Sequence, residues 1–326
     1  MIFAWQGGEP TLMGLDFFRK AISYQIKYRK PGVTIENAIQ TNGTALDDAW
    51  GAFFREHNFL VRISIDGPQK CHDAYRVDRG GRPTFEKVMR GLDILKKHGV
   101  EFNVLTTVHA GNVDHPIEVY RFLRNVVKTQ FIQFIPIVEP IDAADKTRTK
   151  QVSDRSVNAE KFGKFLVAVF EEWVRRDVGK LFVQMFDVAL GAWMGRPGGL
   201  CVFTPACGRA LAMEHNGDVY ACDHFVAPEY RLGNIMQTPL VAMAGSAQQL
   251  QFGMDKQAKL PRTCLECEVL FACQGGCPKD RIIRTADGEA GLNYLCNGFK
   301  AFFQHIDIPM KRMASLLKHG QAQGET

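Results

Sequence analysis

The sequence has no run of about 18 consecutive apolar residues, the length that a helix needs to span a bilayer. It also has no basic N-terminal stretch followed by an apolar core, so we expect no secretory signal. The formal net charge is only +5 over 326 residues, and basic and acidic side chains are mixed throughout. These absences favour a globular cytoplasmic protein that binds neither membranes nor nucleic acid.

Cysteine is almost missing from the first 200 residues, where Cys71 stands alone. The other eight cysteines all lie between residues 201 and 296. Because a reducing compartment argues against structural disulfides, clustered thiols indicate metal ligands. These eight candidate ligands are Cys201, Cys207, Cys222, Cys264, Cys267, Cys273, Cys277 and Cys296.

The spacing within this group supports metal binding. Cys264 and Cys267 are separated by two residues, so both thiols can point inward from one turn while later cysteines complete the coordination shell. A hairpin is predicted between Cys207 and Cys222, with its turn at residues 215–218. Eight ligands are enough for two sites of four thiolates each.

Zinc and iron–sulfur clusters both accept four thiolates, and the spacing alone leaves both open. Eight unliganded core cysteines are a third interpretation. The glycines Gly275 and Gly276, directly before Cys277, argue against it, because glycine allows the backbone to approach a bulky cluster closely.

Up to about residue 140, short apolar segments alternate with amphipathic ones, as in a parallel sheet built from βα units. Strands are predicted at residues 2–5, 38–41, 60–65, 102–108 and 131–137. Helices are predicted at residues 15–28, 46–57, 84–98 and 116–127. Polar or glycine-bearing segments follow the strands, and in a β/α barrel such ends share the rim that carries the active site. This pattern favours a partial barrel over an open doubly wound sheet.

Beyond the predicted sheet, residues 141–158 are polar and charged and indicate an exposed linker. Helices are predicted at residues 160–175, 185–194 and 310–319. We therefore divide the chain into a barrel part at 1–145, a linker with helices at 146–200 and a cysteine-rich part at 201–326.

Several short motifs resemble one enzyme class. The cysteine arrangement from Cys207 onward is similar to the SPASM domain, the auxiliary-cluster module of radical S-adenosylmethionine (SAM) enzymes that modify peptides. Together, the motifs resemble the anaerobic sulfatase-maturating enzymes over essentially the whole chain. The matching segments are Gly7-Gly8-Glu9-Pro10, Gln40-Thr41-Asn42-Gly43, Ser64-Ile65-Asp66-Gly67, His72-Asp73-Ala74-Tyr75-Arg76 and His215-Asn216-Gly217-Asp218-Val219-Tyr220-Ala221-Cys222-Asp223.

This resemblance implies an α/β fold: a partial (β/α) radical SAM barrel lacking its first strand, followed by a small cysteine-rich SPASM domain. It implies two auxiliary [4Fe-4S] clusters and SAM as cofactors. It also implies roles for particular residues. One cluster would use Cys201, Cys207, Cys222 and Cys277, the other Cys264, Cys267, Cys273 and Cys296; Gly8, Ser64, Arg76 and Val138 would contact SAM, and Asp223 would be the catalytic base.

The sequence departs from the family in one respect. Radical SAM enzymes carry a Cys-x3-Cys-x2-Cys loop for a third, catalytic [4Fe-4S] cluster, and this spacing does not occur among the 326 residues. The ligands of that cluster are thus absent, and we expect a truncated chain that does not start the radical reaction as written.

The implied activity is conversion of a cysteine or serine of a sulfatase polypeptide to Cα-formylglycine, with a flavodoxin or ferredoxin as electron donor. A 5′-deoxyadenosyl radical would take a hydrogen from the β-carbon, Asp223 would take the heteroatom proton, and the auxiliary clusters would accept the electron. One alternative is another SPASM enzyme that modifies a ribosomal peptide. A second is a non-catalytic scaffold that holds metal and binds a peptide.

Overall fold

The computed structural model describes residues 1–141, 151–196 and 198–320. Contacts divide the chain into two compact units. The first comprises Met1–Ile137, Arg155–Val157 and Ala168–Phe186, and the second comprises Val138–Asp154, Asn158–Val167 and Asp187–Thr326. Half of the predicted linker at 141–158, namely residues 142–150, lies outside the described residues. The domain boundaries at residues 145 and 200 stay a prediction.

The first unit contains a six-stranded parallel sheet whose spatial order is the order of the sequence. A doubly wound sheet would reverse its strand order at a switch point. Sequential right-handed crossovers instead put the helices on one face, as in a β/α barrel, and the predicted partial barrel is confirmed. Its strands are β1 (Ile2–Trp5), β2 (Glu36–Thr41), β3 (Leu60–Ser64), β4 (Phe102–Val108), β5 (Phe131–Pro136) and β6 (Phe182–Val183).

The predicted helices of this unit are present with small shifts at their ends. The second helix begins at Asp48 instead of residue 46, because the Asp47 side chain accepts a hydrogen bond from the Trp50 amide as its N-cap. A short π-helical turn, Leu123–Val127, continues the last helix. The helices are α1 (Leu15–Tyr28), α2 (Asp48–Glu56), α3 (Gln69–Asp73), α4 (Phe85–Lys97) and α5 (Pro116–Phe122), while α6 (Ala159–Arg176) and α7 (Gln184–Trp193) contribute to both units.

Aromatic side chains hold α1 and α2 together. The ring centroids of Phe18 and Trp50 are 5.5 Å apart, and those of Phe18 and Phe59 are 6.3 Å apart, both in edge-to-face contact. Phe53 and Phe54 are buried in the same cluster. This packing of two amphipathic helices fixes the loops that connect them to the strand ends.

The second unit is built from short elements. The predicted hairpin is present, with Ala212 paired to Tyr220 and Met213 to Val219. No helix in the described parts of either unit is long and apolar enough to cross a bilayer. Its strands are β7 (Ala212–Met213), β8 (Asp218–Tyr220), β9 (Arg231–Asn234), β10 (Ile283–Arg284) and β11 (Ala290–Leu292). Its helices are α8 (Leu240–Ala244), α9 (Ala247–Ala258), α10 (Arg262–Leu265), α11 (Leu270–Cys273), α12 (Cys296–His305) and α13 (Asp307–Lys318).

Two glycines allow α6 and α12 to approach closely within this unit. A Cβ atom on Gly298 would lie 2.1 Å from the carbonyl oxygen of Ala159, and one on Gly163 would lie 2.7 Å from Gly298 Cα. Since these neighbours are backbone atoms, neither helix can make room by a side-chain rotation. The contact fixes the helix that begins at Cys296, one of the candidate ligands.

We expect the substitution Gly298→Ala to lower the free energy of unfolding by about 1–3 kcal/mol, the usual cost of overpacking. Gly191→Ala is the matched control, because a Cβ atom at this glycine of α7 meets nothing within 4 Å. That variant should gain roughly 0.5–1 kcal/mol from reduced backbone entropy. Urea denaturation of both variants checks the opposite signs, and a loss of equal size in both would contradict the packing argument.

Candidate functional site

The carboxyl ends of the first two strands are joined by Glu9. Its side chain accepts hydrogen bonds from the Thr41 hydroxyl and the Asn42 amide, both at 2.7 Å. Gly8, directly before it, has a φ of 54° and is exposed, so its backbone is open to a ligand. Glu9 thus fixes the loop that carries the predicted SAM contact Gly8.

Asp66 has the same role at the third and fourth strands. It is 2% exposed, and its carboxylate lies 2.5 Å from Arg76 Nε and 2.8 Å from the Thr107 amide. Burial alone would raise the pKa of Asp66, but Arg76, His109 and the Thr107 amide together lower it below its ordinary value. The carboxylate therefore stays ionised and holds the guanidinium of the predicted SAM contact Arg76.

His72 fixes the backbone of the same arginine. Its Nδ1 accepts a hydrogen bond from the Asp66 amide, so Nε2 carries the ring hydrogen and donates to the Thr84 hydroxyl at 3.2 Å. Thr84 in turn donates to the Arg76 carbonyl oxygen at 2.7 Å. Burial lowers the pKa of His72 to about 4, so the ring is neutral near pH 7.

The predicted SAM contacts do not all belong to one unit. Ser64 is the last residue of β3 and is 5% exposed, and it shares the strand-end edge of the first unit with Gly8 and Arg76. Val138 follows β5 by two residues, is buried and belongs to the second unit. Their contacts with SAM stay a prediction. The positioning carboxylates Glu9 and Asp66 lie inside the recognised motifs, but nothing in the sequence singled them out.

In the second unit, four cysteines that are distant in sequence form a first set: Cys201, Cys207, Cys222 and Cys277. Burial raises the pKa of Cys207, Cys222 and Cys277, and thiols of the same set add to the rise. Cys201 acts on Cys207 and Cys277, and Cys277 acts on Cys222. These pairwise effects link the four thiols in a series, as is expected for groups that lie near one another.

The remaining four cysteines form a second set and line one cavity of about 490 Å³: Cys264, Cys267, Cys273 and Cys296. Burial raises the pKa of Cys264 to about 11 and of Cys273 to about 12, and neighbours from this set raise both further. The cavity thus brings together the four cysteines of the second set, whereas the grouping of the first set and the role of all eight as ligands stay a prediction.

The second cysteine set surrounds a space large enough for an iron–sulfur cluster. One zinc ion holds its four sulfurs about 3.8 Å apart, because each Zn–S bond is about 2.3 Å long. Within the described residues, no three His, Cys, Asp or Glu side chains are grouped closely enough to hold a single metal ion. A cluster of several iron atoms needs four thiolates around a larger space, which the cavity of the second set provides.

Backbone amides also point at the sulfurs. Three cysteines have a pKa raised to about 12 by burial, and in each the amide of the second following residue hydrogen-bonds to the sulfur and opposes the rise. Hydrogen bonds to sulfur stabilise thiolate ligands and tune cluster potentials. The cysteine and amide pairs are Cys222 with His224, Cys273 with Gly275, and Cys277 with Lys279.

The turn from Cys273 to Cys277 joins the two sets. Gln274, Gly275 and Gly276 have φ values of 49°, 68° and 63°, a left-handed run that favours glycine. A Cβ atom on Gly275 would meet Leu260 at 2.3 Å, and one on Gly276 would meet the Asn293 amide at 2.4 Å. Gly275 lines the cavity, and both glycines are already required by their close approach to protein atoms, while approach to a cluster stays a prediction.

The predicted base Asp223 lies beside the first set. Its Oδ1 atom is 3.2 Å from the sulfur of Cys222, and the residue is exposed. A carboxylate in this position can meet a substrate from solvent while remaining next to a candidate electron acceptor.

Comparison with known proteins assigns the family. Residues 2–123 match the radical SAM superfamily, and residues 201–268 match SPASM, an iron–sulfur cluster-binding domain. A serine-type anaerobic sulfatase-maturating enzyme of Bacteroides thetaiotaomicron is 49% identical over 99% of this chain and 80% of its own length. The chain belongs to the anaerobic sulfatase-maturating enzyme family.

Further members of this maturase family include a cysteine-type enzyme of Clostridium perfringens, 33% identical over 97% of this chain and 84% of its own length. The solved structure of native anSMEcpe with bound AdoMet and Cp18Cys peptide has a TM-score of 0.88 at 32% identity. The structural match covers 97% of this chain and 86% of the anSMEcpe chain. The expected radical SAM and SPASM architecture, with its iron–sulfur and SAM cofactor classes, is confirmed for the family.

The neutral state of His72 predicts a pH dependence of stability. Its folded pKa of about 4 lies below the ordinary 6.5, so the stabilisation is present above about pH 6.5 and is lost as the pH falls toward 4. Between pH 7 and pH 5 the free energy of unfolding of the wild-type chain should fall by about 2 kcal/mol more than that of the His72→Gln variant. Urea denaturation at both pH values measures this. His215→Gln, at a side chain that is 94% exposed, should behave as wild type, and equal losses in all three chains would contradict the assignment.

The two cysteine sets predict iron contents. After anaerobic reconstitution we expect about eight irons and eight sulfides per chain, and about four of each in Cys277→Ala or in Cys264→Ala. The double variant should hold none. Cys71→Ala is the control and should keep about eight, because this buried cysteine belongs to neither set. Stoichiometric zinc, or a double variant that holds as much iron as each single variant, would contradict the two-cluster arrangement.

Proposed function

We propose that this protein, when supplied with the Cys-x3-Cys-x2-Cys cluster loop that its 326 residues do not contain, oxidises a serine of a sulfatase polypeptide to Cα-formylglycine. The observation that carries this proposal is the match to a serine-type sulfatase-maturating enzyme, 49% identical along nearly the whole chain. A Klebsiella pneumoniae enzyme of the serine type is 38% identical, whereas the cysteine-type relatives are 32–33% identical. The higher identity to the serine type supports serine as the preferred residue, with cysteine as the alternative.

The site residues are assigned accordingly. We propose that Gly8, Ser64, Arg76 and Val138 contact SAM, supported for the first three by their positions at one edge of the sheet. The Asp66 carboxylate and the His72 ring would keep Arg76 in place before SAM binds, so little side-chain entropy is lost on binding.

The two cysteine sets would hold the auxiliary clusters. When bound, SAM supplies the 5′-deoxyadenosyl group that takes one hydrogen atom from the substrate β-carbon, and the clusters supply the acceptor for one electron. Asp223 would take the proton of the serine hydroxyl. Loss of a hydrogen atom, a proton and an electron together oxidises the alcohol to the aldehyde.

We further propose a flavodoxin or ferredoxin as electron donor, because iron–sulfur clusters of this class work at low potential. We assign the protein to the cytoplasm. This assignment is supported by nine free cysteines, which suit a reducing compartment.

A peptide assay tests the proposal. Because the 326 residues contain no Cys-x3-Cys-x2-Cys, turnover is measured on a fusion that places such a loop of the family ahead of Met1. Two sulfatase peptides that differ only in serine or cysteine are incubated with SAM and dithionite. We expect formylglycine and 5′-deoxyadenosine with both peptides, and faster with serine.

The variant Asp223→Asn should lower formylglycine formation at least about 100-fold, the usual contribution of a general base, while 5′-deoxyadenosine is still formed. Glu229→Gln, at an exposed carboxylate of the same segment, is the control and should keep full activity. Undiminished formylglycine in Asp223→Asn would remove this residue from the base role, and modification of neither peptide would reject the maturase function.

A further inference from the structure

Lys256 is a buried cation between the two cysteine sets. The residue is 1% exposed, and its ammonium group donates hydrogen bonds to the carbonyl oxygens of Val202, Thr204 and Gln274. Val202 and Thr204 lie between two cysteines of the first set, and Gln274 follows Cys273 of the second. One side chain therefore contacts the backbone segments that carry both sets.

Arg281 is a second cation in the same region. Its guanidinium donates to the carbonyl oxygens of Gly275 at 3.1 Å, Lys256 at 2.6 Å and Gln274 at 3.3 Å. Lys256 and Arg281 thus meet at the turn that joins the sets, although their like charges repel each other.

These two charges have no carboxylate partner among the contacts of the described residues, since every hydrogen bond that they make is to a backbone carbonyl. Burial lowers the pKa of both side chains, and only cysteine thiolates oppose it. For Lys256 these are Cys207, Cys277 and Cys273, and for Arg281 they are Cys264, Cys277, Cys273 and Cys207.

A buried charge is expensive unless an opposite charge compensates it. Each cation donates hydrogen bonds to backbone carbonyls in segments that carry cysteines of both sets, so negative charge held by the sets lies close enough to compensate it. Four thiolates around an iron–sulfur cluster carry net negative charge, which fits this requirement. A lysine on the surface would keep its hydration, whereas Lys256 loses it. We therefore expect Lys256 to have a function at the clusters.

We propose that Lys256 and Arg281 are a shared pair of positive charges that stabilises added negative charge at both cysteine sets and raises the reduction potentials of the clusters held there. The inference rests on the cluster assignment made above. Reduction adds one electron and no proton at either set, and both cations lie where they stabilise that extra charge. Both residues act through the charge of the clusters, and neither is required to touch the substrate.

The test is a redox titration of the purified, reconstituted chain with dithionite, followed by electron paramagnetic resonance without SAM or peptide. We expect Lys256→Met to shift the one-electron reduction equilibrium of the clusters about tenfold toward the oxidised form, or about 59 mV in potential. Arg281→Gln should shift it in the same direction, and Arg281→Lys, which keeps the charge, should stay close to wild type. Lys259→Met is the control, because its side chain is 71% exposed and paired with Asp255.

Unchanged potentials in Lys256→Met and Arg281→Gln with full iron content would overturn the inference. If Lys256→Met and Arg281→Gln lose iron while Arg281→Lys keeps it, the iron content itself supports the need for positive charge beside the clusters. If Arg281→Lys loses iron as well, the role is structural and the inference fails. Since the readout uses no peptide, failure of the maturase function leaves it intact, whereas a wild-type chain without clusters would reject the cluster assignment and this inference together.

Discussion

The turn from Cys273 to Cys277 carries one cysteine of each set, and the second unit is built around it. Three successive residues with positive φ reverse the chain in a space that excludes side chains on both glycines. The carbonyl oxygens of this left-handed run point to Lys256 and Arg281, and the Asn293 amide donates to the Cys277 carbonyl oxygen at 3.2 Å. The strands of this unit are short and supply few backbone contacts, so polar contacts to one backbone turn fix the distance between its two cysteine sets.

In the first unit, polar side chains also hold irregular backbone in place, here at the carboxyl ends of the strands. Parallel strands place their carboxyl ends at one edge, but the loops that leave them have no regular backbone pairing. Glu9 and Asp66 supply that pairing, because each carboxylate accepts hydrogen bonds from the neighbouring strand end. A buried carboxylate also fixes Arg76 by charge, so the edge is organised before any ligand arrives.

Much of the barrel could be predicted because its strands are short segments rich in apolar residues and its helices carry regular apolar faces. The sixth strand could not, since Phe182–Val183 is too short for any period and exists through pairing with Phe131 and Ile132. The last helix begins at Asp307 rather than at the predicted residue 310, because Pro309 is tolerated in a first helical turn. Phe17, interpreted with Phe18 as part of a core face, is 39% exposed.

The cysteines of the candidate site could be predicted from the sequence, whereas the charged side chains around them could not. Eight thiols within one segment are a strong signal, and the family motifs divide them into two sets, of which the second lines one cavity. Lys256 and Arg281 gave no such signal, because nothing in the sequence distinguishes a buried lysine or arginine from an exposed one. Glu9 and His72 act through neighbours that only the folded chain brings near them.

The cysteines of the two sets interleave along the chain, so no contiguous segment contains one set alone. During synthesis, Cys277 emerges from the ribosome before Cys296, and the first set has all its members while the second still lacks one. The cysteines of the first set are therefore all available before those of the second. Because the two sets overlap between Cys264 and Cys277, no single cut divides the chain into two fragments that each hold one complete set, so recombination or engineering has to transfer the pair as one segment.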